Sequence, residues 1–313
     1  MLKESLFYAK ILLFGEYGII QDSMGLSIPY NSYQGSLKLK SVDDEVGEKS
    51  NQHLRNFYNY LLELHQNNEL YFELNFTKLN LDIDQGMTFD SSIPQGFGVG
   101  SSGALVAAIY DRYSLEKKTL GNNPESSDIA ELKNIFGQME SFFHGKSSGL
   151  DPLICYLNLP VLIKSKSEMG TVGLPENDAL GKGAIFLINS GSPGETEPMV
   201  NIFMEKMKQD GFRNMLKKEF KKYNDACIDA FLKRDLNPLF KNIKELSNLL
   251  FNNFRPMIPS VFHKLWKDGI ESNAYYLKLC GSGGGGFFLG FTQNLDEAKK
   301  RLKGYPLEIV FTF

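Results

Sequence analysis

Residues 94–104 read Pro-Gln-Gly-Phe-Gly-Val-Gly-Ser-Ser-Gly-Ala, and the apolar run Leu105-Val-Ala-Ala-Ile109 follows at once. Four glycines and two serines give way without a spacer to residues that belong in a buried helix. The first turn of a helix carries unpaired N–H groups and partial positive charge. Glycines let the backbone approach an oxyanion closely, and serines add hydroxyl donors. The junction at Gly96–Ala104 therefore predicts a phosphate site; a tight turn that binds nothing is the plainer alternative.

Two familiar phosphate loops are excluded. A P-loop needs G-x-x-x-x-G-K-S/T, but ahead of Gly145-Lys146-Ser147 position 140 holds Glu where the leading Gly would stand. The stretch Gly281-Ser-Gly-Gly-Gly-Gly286 satisfies G-x-G-x-x-G as text, yet it precedes the strand-like run Phe287–Phe291 and lies too near the C-terminus for a dinucleotide-binding half to follow.

Composition narrows the class. With 313 residues, 42% apolar and 23% charged, the chain suits a soluble enzyme of one large or two ordinary domains. A net charge of -3 gives no electrostatic footprint for nucleic acid or a membrane surface, and the Lys-rich Met204–Lys222 stretch reads as a solvated helix face. Residues 1–20 lack a signal-peptide pattern, and no apolar run reaches the ~18 residues that span a bilayer. Cys155, Cys227 and Cys280 are too few and too scattered for a disulfide framework. A cytoplasmic protein, monomeric or homodimeric, is expected.

The chain mixes strand and helix patterns. Phe7–Phe14, Ser36–Val42, Leu70–Phe76 and Ala184–Asn189 read as strands, as do Leu277–Leu279, Phe287–Phe291 and Leu307–Phe313. Asp43–Ser50 reads as an acidic loop. Helical spacing marks Gln52–His65, Ser127–Phe143, Met199–Tyr223 and Asp225–Leu232, with Ser126, Ser127 and Asp128 as N-cap candidates. His53 and His65 fall on surface or edge positions. An α+β fold with a second α+β domain at the C-terminal end follows, with a boundary near residue 183.

Three side chains outside the glycines stand out. Glu140 lies near the end of its helix, and Asp151 lies on the irregular segment after it, among Gly145, Gly149 and Pro152. Carboxylates near phosphates hold Mg²⁺ or manage a proton. Lys10 interrupts a buried run, which is unusual without a partner; a snorkelling edge residue is the bland reading.

Together these segments resemble the GHMP kinases, and among them the mevalonate kinases. Lys10–Tyr17 (K-I-L-L-F-G-E-Y) with Gly25–Tyr30 (G-L-S-I-P-Y), the 94–104 loop, and Lys278–Phe287 (K-L-C-G-S-G-G-G-G-F) are similar to the family's three motifs, in order, over nearly the whole chain. Glu140–Pro152 (E-S-F-F-H-G-K-S-S-G-L-D-P) resembles the mevalonate kinase pattern, and Asn189–Val200 resembles the family's Thr-containing segment. The resemblance implies a ribosomal protein S5 domain 2-like N-terminal domain (1–183), a ferredoxin-like C-terminal domain (184–313), and an active site between them. It implies ATP and Mg²⁺ as cofactors and a small alcohol, mevalonate or similar, as the partner. Asp151 would be the catalytic carboxylate and Lys10 its neighbour. Pro94, Gly96, Gly98, Val99, Gly100, Ser101, Ser102 and Gly103 would bind nucleotide, and Ser102 and Glu140 would hold the metal. Glu16, Tyr17, His144, Gly145, Ser148, Thr196, Gly281, Ser282 and Gly283 would face the substrate.

The chain departs from the family pattern at four positions. Tyr17 stands where His is common, Ser147 where Pro is usual, Gly103 for Ala, and Phe287 for a smaller residue. Tyr17 bears on the substrate, so phosphomevalonate or a sugar are alternative acceptors. The related decarboxylase lacks the lysine that Lys10 supplies. A non-catalytic ligand-binding relative would not need Lys10, Ser102, Glu140 and Asp151 together.

Overall fold

The computed structural model describes residues 5–39, 45–118, 124–165 and 168–313. In chain order the elements are β1 (Phe7–Phe14), β2 (Gly25–Leu39), α1 (Glu45–Gln66), α2 (Phe76–Asp84), β3 (Met87–Ser91), α3 (Ser101–Tyr113), α4 (Ser126–His144) and α5 (Leu150–Leu157). Then follow β4 (Val161–Ile163), β5 (Met169–Thr171), β6 (Ala184–Asn189), α6 (Thr196–Lys206), α7 (Asp210–Met215), α8 (Lys221–Leu232), α9 (Leu236–Asn253) and α10 (Ser260–Ser272). β7 (Tyr276–Leu279), β8 (Phe287–Thr292), α11 (Leu295–Arg301) and β9 (Leu307–Thr312) close the chain. Five strands form one sheet of order β1-β2-β4-β5 with β3 also on β2; four form a second of order β7-β8-β6-β9. This is the α+β class expected.

The chain packs as two compact units that exchange segments. One comprises Met1–Lys10, Pro29–Pro94 and Gly100–Leu159; the other comprises Ile11–Ile28, Gln95–Val99 and Pro160–Phe313. Residues 11–28, 95–99 and 160–183 thus pack with the later half of the chain.

In the first unit, α3 is buried almost all round: Ala104 through Tyr110 are each at most 7% exposed. A helix apolar on every face is a core helix, which explains why no polar stripe marks it in the sequence. α1 is longer than its apolar pattern. It begins at Glu45, so residues 45–50 of the expected loop are helical, and Glu45 and Glu48 in the first turn suit the positive end of the helix dipole. The rest of that loop lies outside the described residues, as does the end of the expected Ser36–Val42 strand; its beginning is the far end of β2. Leu70–Phe76 is not a strand: only Leu74 bridges, to Ser114, and Phe76 opens α2 behind the Asn75 cap. Buried Leu74, which plugs the core from an irregular segment, mimics alternation. The N-cap of α4 is Glu125, without a side-chain bond, while Asp128 pairs with Lys118.

In the second unit, β6 is an inner strand, antiparallel to β8 on one side and β9 on the other. β7 pairs with β8. Four strands in this order, with helices between the first and second and between the third and fourth, form the ferredoxin-like arrangement. The expected Met199–Tyr223 helix is broken: α6 ends at Lys206, α7 starts at Asp210, and a π-turn at Leu216–Phe220 joins α7 to α8. The amphipathic helices α9 and α10, which the sequence reading omitted, bury Leu239, Ile243, Leu246, Phe262 and Trp266.

Candidate active site

Within the first unit, the N-termini of α3 and α5 meet. Gly100 caps α3 in a left-handed conformation (φ 84°), with no side-chain hydrogen bond capping the first turn. A β-carbon there would also lie 2.9 Å from Lys10 Cγ, so the glycine makes room for the lysine stem. At Gly103 a β-carbon would come within 2.8 Å of the Asp151 carbonyl carbon and the Pro152 nitrogen. The two helix starts therefore touch through bare backbone. Asp151 sits on the first turn of α5 and not on an irregular segment as expected, because Gly149 caps that helix in a left-handed turn (φ 74°).

Lys10, from β1, is 2% exposed. It is not a snorkelling edge residue: its Nζ lies 2.9 Å from Asp151 Oδ2. The lysine side chain is 3% exposed and the aspartate 39%, so the pair is open on the carboxylate side.

Glu140, on α4, is 3% exposed. Ser102 donates to its Oε1 at 3.1 Å, and Ser147 donates to its Oε2. Burial, and then the nearby Asp151 charge, pushes the Glu140 carboxyl up to about 8, against the pull of both hydroxyls and Lys10. His144 Nε2 lies 3.1 Å from Ser102 Oγ. The donor set fits Mg²⁺: a carboxylate beside a serine hydroxyl at a helix start is what Mg²⁺ uses when phosphates and water fill its other positions. Among the described residues no cluster of three or more His, Cys, Asp or Glu forms an all-protein metal site.

In the second unit, three glycine-bearing segments stack by backbone. Gly194 N donates to Gly96 O at 2.8 Å, Gly286 N to Ser192 O at 2.7 Å, and Ser190 N to Gly286 O at 2.9 Å. A β-carbon on Gly98 would strike Cys280 O at 2.4 Å, and one on Gly286 would strike Phe97 Cα at 2.6 Å. The glycines at 96, 98 and 286 are thus explained by chain-to-chain approach. The same unit holds Glu16 paired with Lys278, and Tyr17, whose hydroxyl donates to Ser282 O at 2.8 Å. Ser282 Oγ is 3.5 Å from Thr196 Oγ1 at the start of α6.

The structure thus assembles Lys10, Gly100, Ser101, Ser102, Gly103, Glu140, His144 and Asp151 in one unit. Gly145 and Ser148 lie on the exposed turn between α4 and α5. Pro94 is half-buried and Val99 is 1% exposed, a core residue whose side chain reaches no solvent. Glu16, Tyr17, Gly96, Gly98, Thr196 and Gly281–Gly283 belong to the other unit. Two contributors escaped the sequence reading. Ser147 figured only as a departure from the family, and Lys278 received no role. The signal for Lys278 was available: like Lys10, it interrupts an apolar strand, Tyr276–Leu279.

Family models match twice: the GHMP kinases N terminal domain at residues 59–158 and the GHMP kinases C terminal domain at residues 227–304. Together they cover more than half of the chain, which belongs to the GHMP kinase family, a family of ATP-dependent kinases. Comparison of sequence with curated proteins gives no match. Among solved structures, L. major mevalonate kinase in complex with R-mevalonate is 15% identical, with TM-score 0.62, over 100% of this chain and 97% of the other. Streptococcus pneumoniae phosphomevalonate kinase is 13% identical, with TM-score 0.61, over 99% and 100%. Lactococcus lactis galactokinase complexed with galactose is 13% identical, with TM-score 0.65, over 99% and 93%. At these identities the likeness is one of fold. The three acceptors differ, so the fold leaves the substrate open. Among the described residues no helix is long and apolar enough to cross a membrane.

Proposed function

We propose that the chain transfers the γ-phosphoryl group of ATP to the primary hydroxyl of mevalonate. The observation that carries the phosphotransfer reading is the Lys10–Asp151 pair where the α3 and α5 N-termini touch. Phosphoryl transfer asks a protein for positioning and charge neutralisation more than for covalent help. The half-exposed Asp151 carboxylate accepts the proton of the acceptor hydroxyl as its oxygen attacks the γ-phosphorus. Lys10, fixed in the core, steadies the negative charge on the transferring group. The first-turn N–H groups of Ser101, Ser102 and Gly103 take phosphate oxygens. Ser102 and Glu140 would hold Mg²⁺, which supplies neutralisation of the phosphate charge.

The mevalonate assignment is supported by the Glu140–Pro152 motif, and the division near residue 183, which falls between the two family-model matches, belongs to the same reading. The test is ADP release by the purified protein with Mg·ATP and, in turn, mevalonate, phosphomevalonate and galactose. Turnover with mevalonate alone supports the proposal. Turnover only with another alcohol keeps the chemistry and moves the acceptor. No turnover with any of the three refutes the mevalonate reading.

A further inference from the structure

The family resemblance treats Glu16 and Tyr17 as substrate contacts, but both are already engaged. Glu16 is 5% exposed and pairs with Lys278, itself 0% exposed. Lys278 also donates to Leu279 O at 2.9 Å and lies 5.9 Å from the Phe14 ring centroid. A carboxylate this buried is tolerable only with its charge matched, so its partner is structural before it is anything else. Tyr17 stacks on Phe203 at 4.5 Å between centroids and tilts against Phe254 at 5.8 Å. Its backbone is left-handed (φ 58°). A bulky residue holds that conformation only where its surroundings over-determine it. The surroundings here are the aromatic stack on the ring and the bond from the hydroxyl to Ser282 O at 2.8 Å. Burial, and then the Glu16 charge, raises the Tyr17 phenol, which therefore stays a donor.

Glu16 and Tyr17 thus grip one segment at two points, Lys278 and Ser282, on either side of Gly281. Backbone bonds fix the far end of the turn, where Gly284 N donates to Met257 O at 2.7 Å, Gly286 N donates to Ser192 O at 2.7 Å and Gly286 O accepts from Ser190 N at 2.9 Å. The near end, Gly281–Gly283, is where Glu16 and Tyr17 hold on, and Gly281, Gly283, Gly284 and Gly286 all have positive φ. Such a glycine run is entropically costly to order.

We propose that Glu16 and Tyr17 are positioning residues, a two-point latch that orders the Gly281–Gly286 turn, and that neither contacts the acceptor. The proposal rests on the kinase reading only in making this turn part of a phosphotransfer site; the latch itself can be measured without turnover.

Hydrogen exchange by mass spectrometry on the full-length protein, without ligands, is the test. Tyr17→Phe keeps the ring and its stacking and removes one hydrogen bond. The expected result is exchange about 5- to 10-fold faster at the hydrogen-bonded amides of Gly284 and Gly286, with other peptides unchanged, since one such bond is worth about that factor in an opening equilibrium. A Glu16→Met/Lys278→Met double variant removes both buried charges together and should loosen the same peptide. Because it can fail to fold, Tyr17→Phe carries the decision. Unchanged exchange at Gly284 and Gly286 in Tyr17→Phe overturns the latch. Unchanged exchange with an acceptor KM raised several-fold also overturns it, and makes Tyr17 a substrate contact. Faster exchange in a protein inactive on every alcohol upholds the latch while the kinase reading fails.

Discussion

Gly103→Ala tests the joint between α3 and α5. Alanine in place of glycine inside a helix ordinarily stabilises by about 0.5–1 kcal/mol. Here the new β-carbon would sit 2.8 Å from both the Asp151 carbonyl carbon and the Pro152 nitrogen, where ordinary contact begins at 3.4 Å. Both obstacles are backbone, so one helix start must move by about 0.6 Å, and forced repacking of this kind costs about 1–3 kcal/mol. The net expectation is a loss of about 0–2 kcal/mol, opposite in sign to helix propensity. The larger effect falls on chemistry. The displaced residue is Asp151, whose carboxylate lies 2.9 Å from Lys10 Nζ. Misplacement by about 1 Å can lower a rate ~100-fold, so a fall of about 10- to 100-fold in kcat is expected, with nucleotide affinity changed far less. ADP release and thermal unfolding read the two effects. A Gly103→Ala protein that is more stable than the parent and equally fast would refute the contact between the two helix starts as the reason for glycine at this position.

Two further outcomes follow from the same site. Asp151→Asn should lower turnover at least ~100-fold while ATP still binds, because the neutral amide keeps the shape but cannot accept the hydroxyl proton; near-normal turnover, read by the ADP assay beside a nucleotide titration, would remove Asp151 from its catalytic role. Glu140 should make the ligand-free protein less stable with rising pH. Its folded carboxyl is raised to about 8, so its proton stabilises the fold fully below the ordinary carboxylate range, and that contribution is lost as pH rises through about 8. Melting temperatures without Mg²⁺ or nucleotide should decline between about pH 5 and about pH 9, and Glu140→Gln should flatten the decline; equal slopes in the two proteins would contradict the burial account.

Much of this site was legible in one dimension because its determinants are local. The glycine-to-helix junction at 94–104 is a backbone requirement written in consecutive residues, and α3 begins at Ser101 as the junction demands. β1, β6 and the strand after Gly286 also lie where their apolar runs stand. Errors arose where a distant partner sets the conformation. Leu70–Phe76 alternates, but only Leu74 is deeply buried, and the segment finds no neighbouring strand to pair with beyond one bridge. Residues 45–50 looked like a loop because their acidic side chains suit solvent, which a helix start offers equally well.

By itself, then, the sequence determined the class of chemistry. Glycine-rich segments and a lysine in a buried strand stand out by residue type, and the resemblance of the motifs around them picks out the two carboxylates. Only the tertiary structure decided their employment. It joined Lys10 to Asp151 across 141 positions, gave Glu140 two hydroxyl donors including the unexpected Ser147, and showed that Glu16 and Tyr17 are taken up by Lys278 and Ser282. The reason is physical. Whether a buried charge serves a substrate or a neighbouring charge depends on what shares its low-dielectric surroundings, and those neighbours come from segments as far as 265 residues apart.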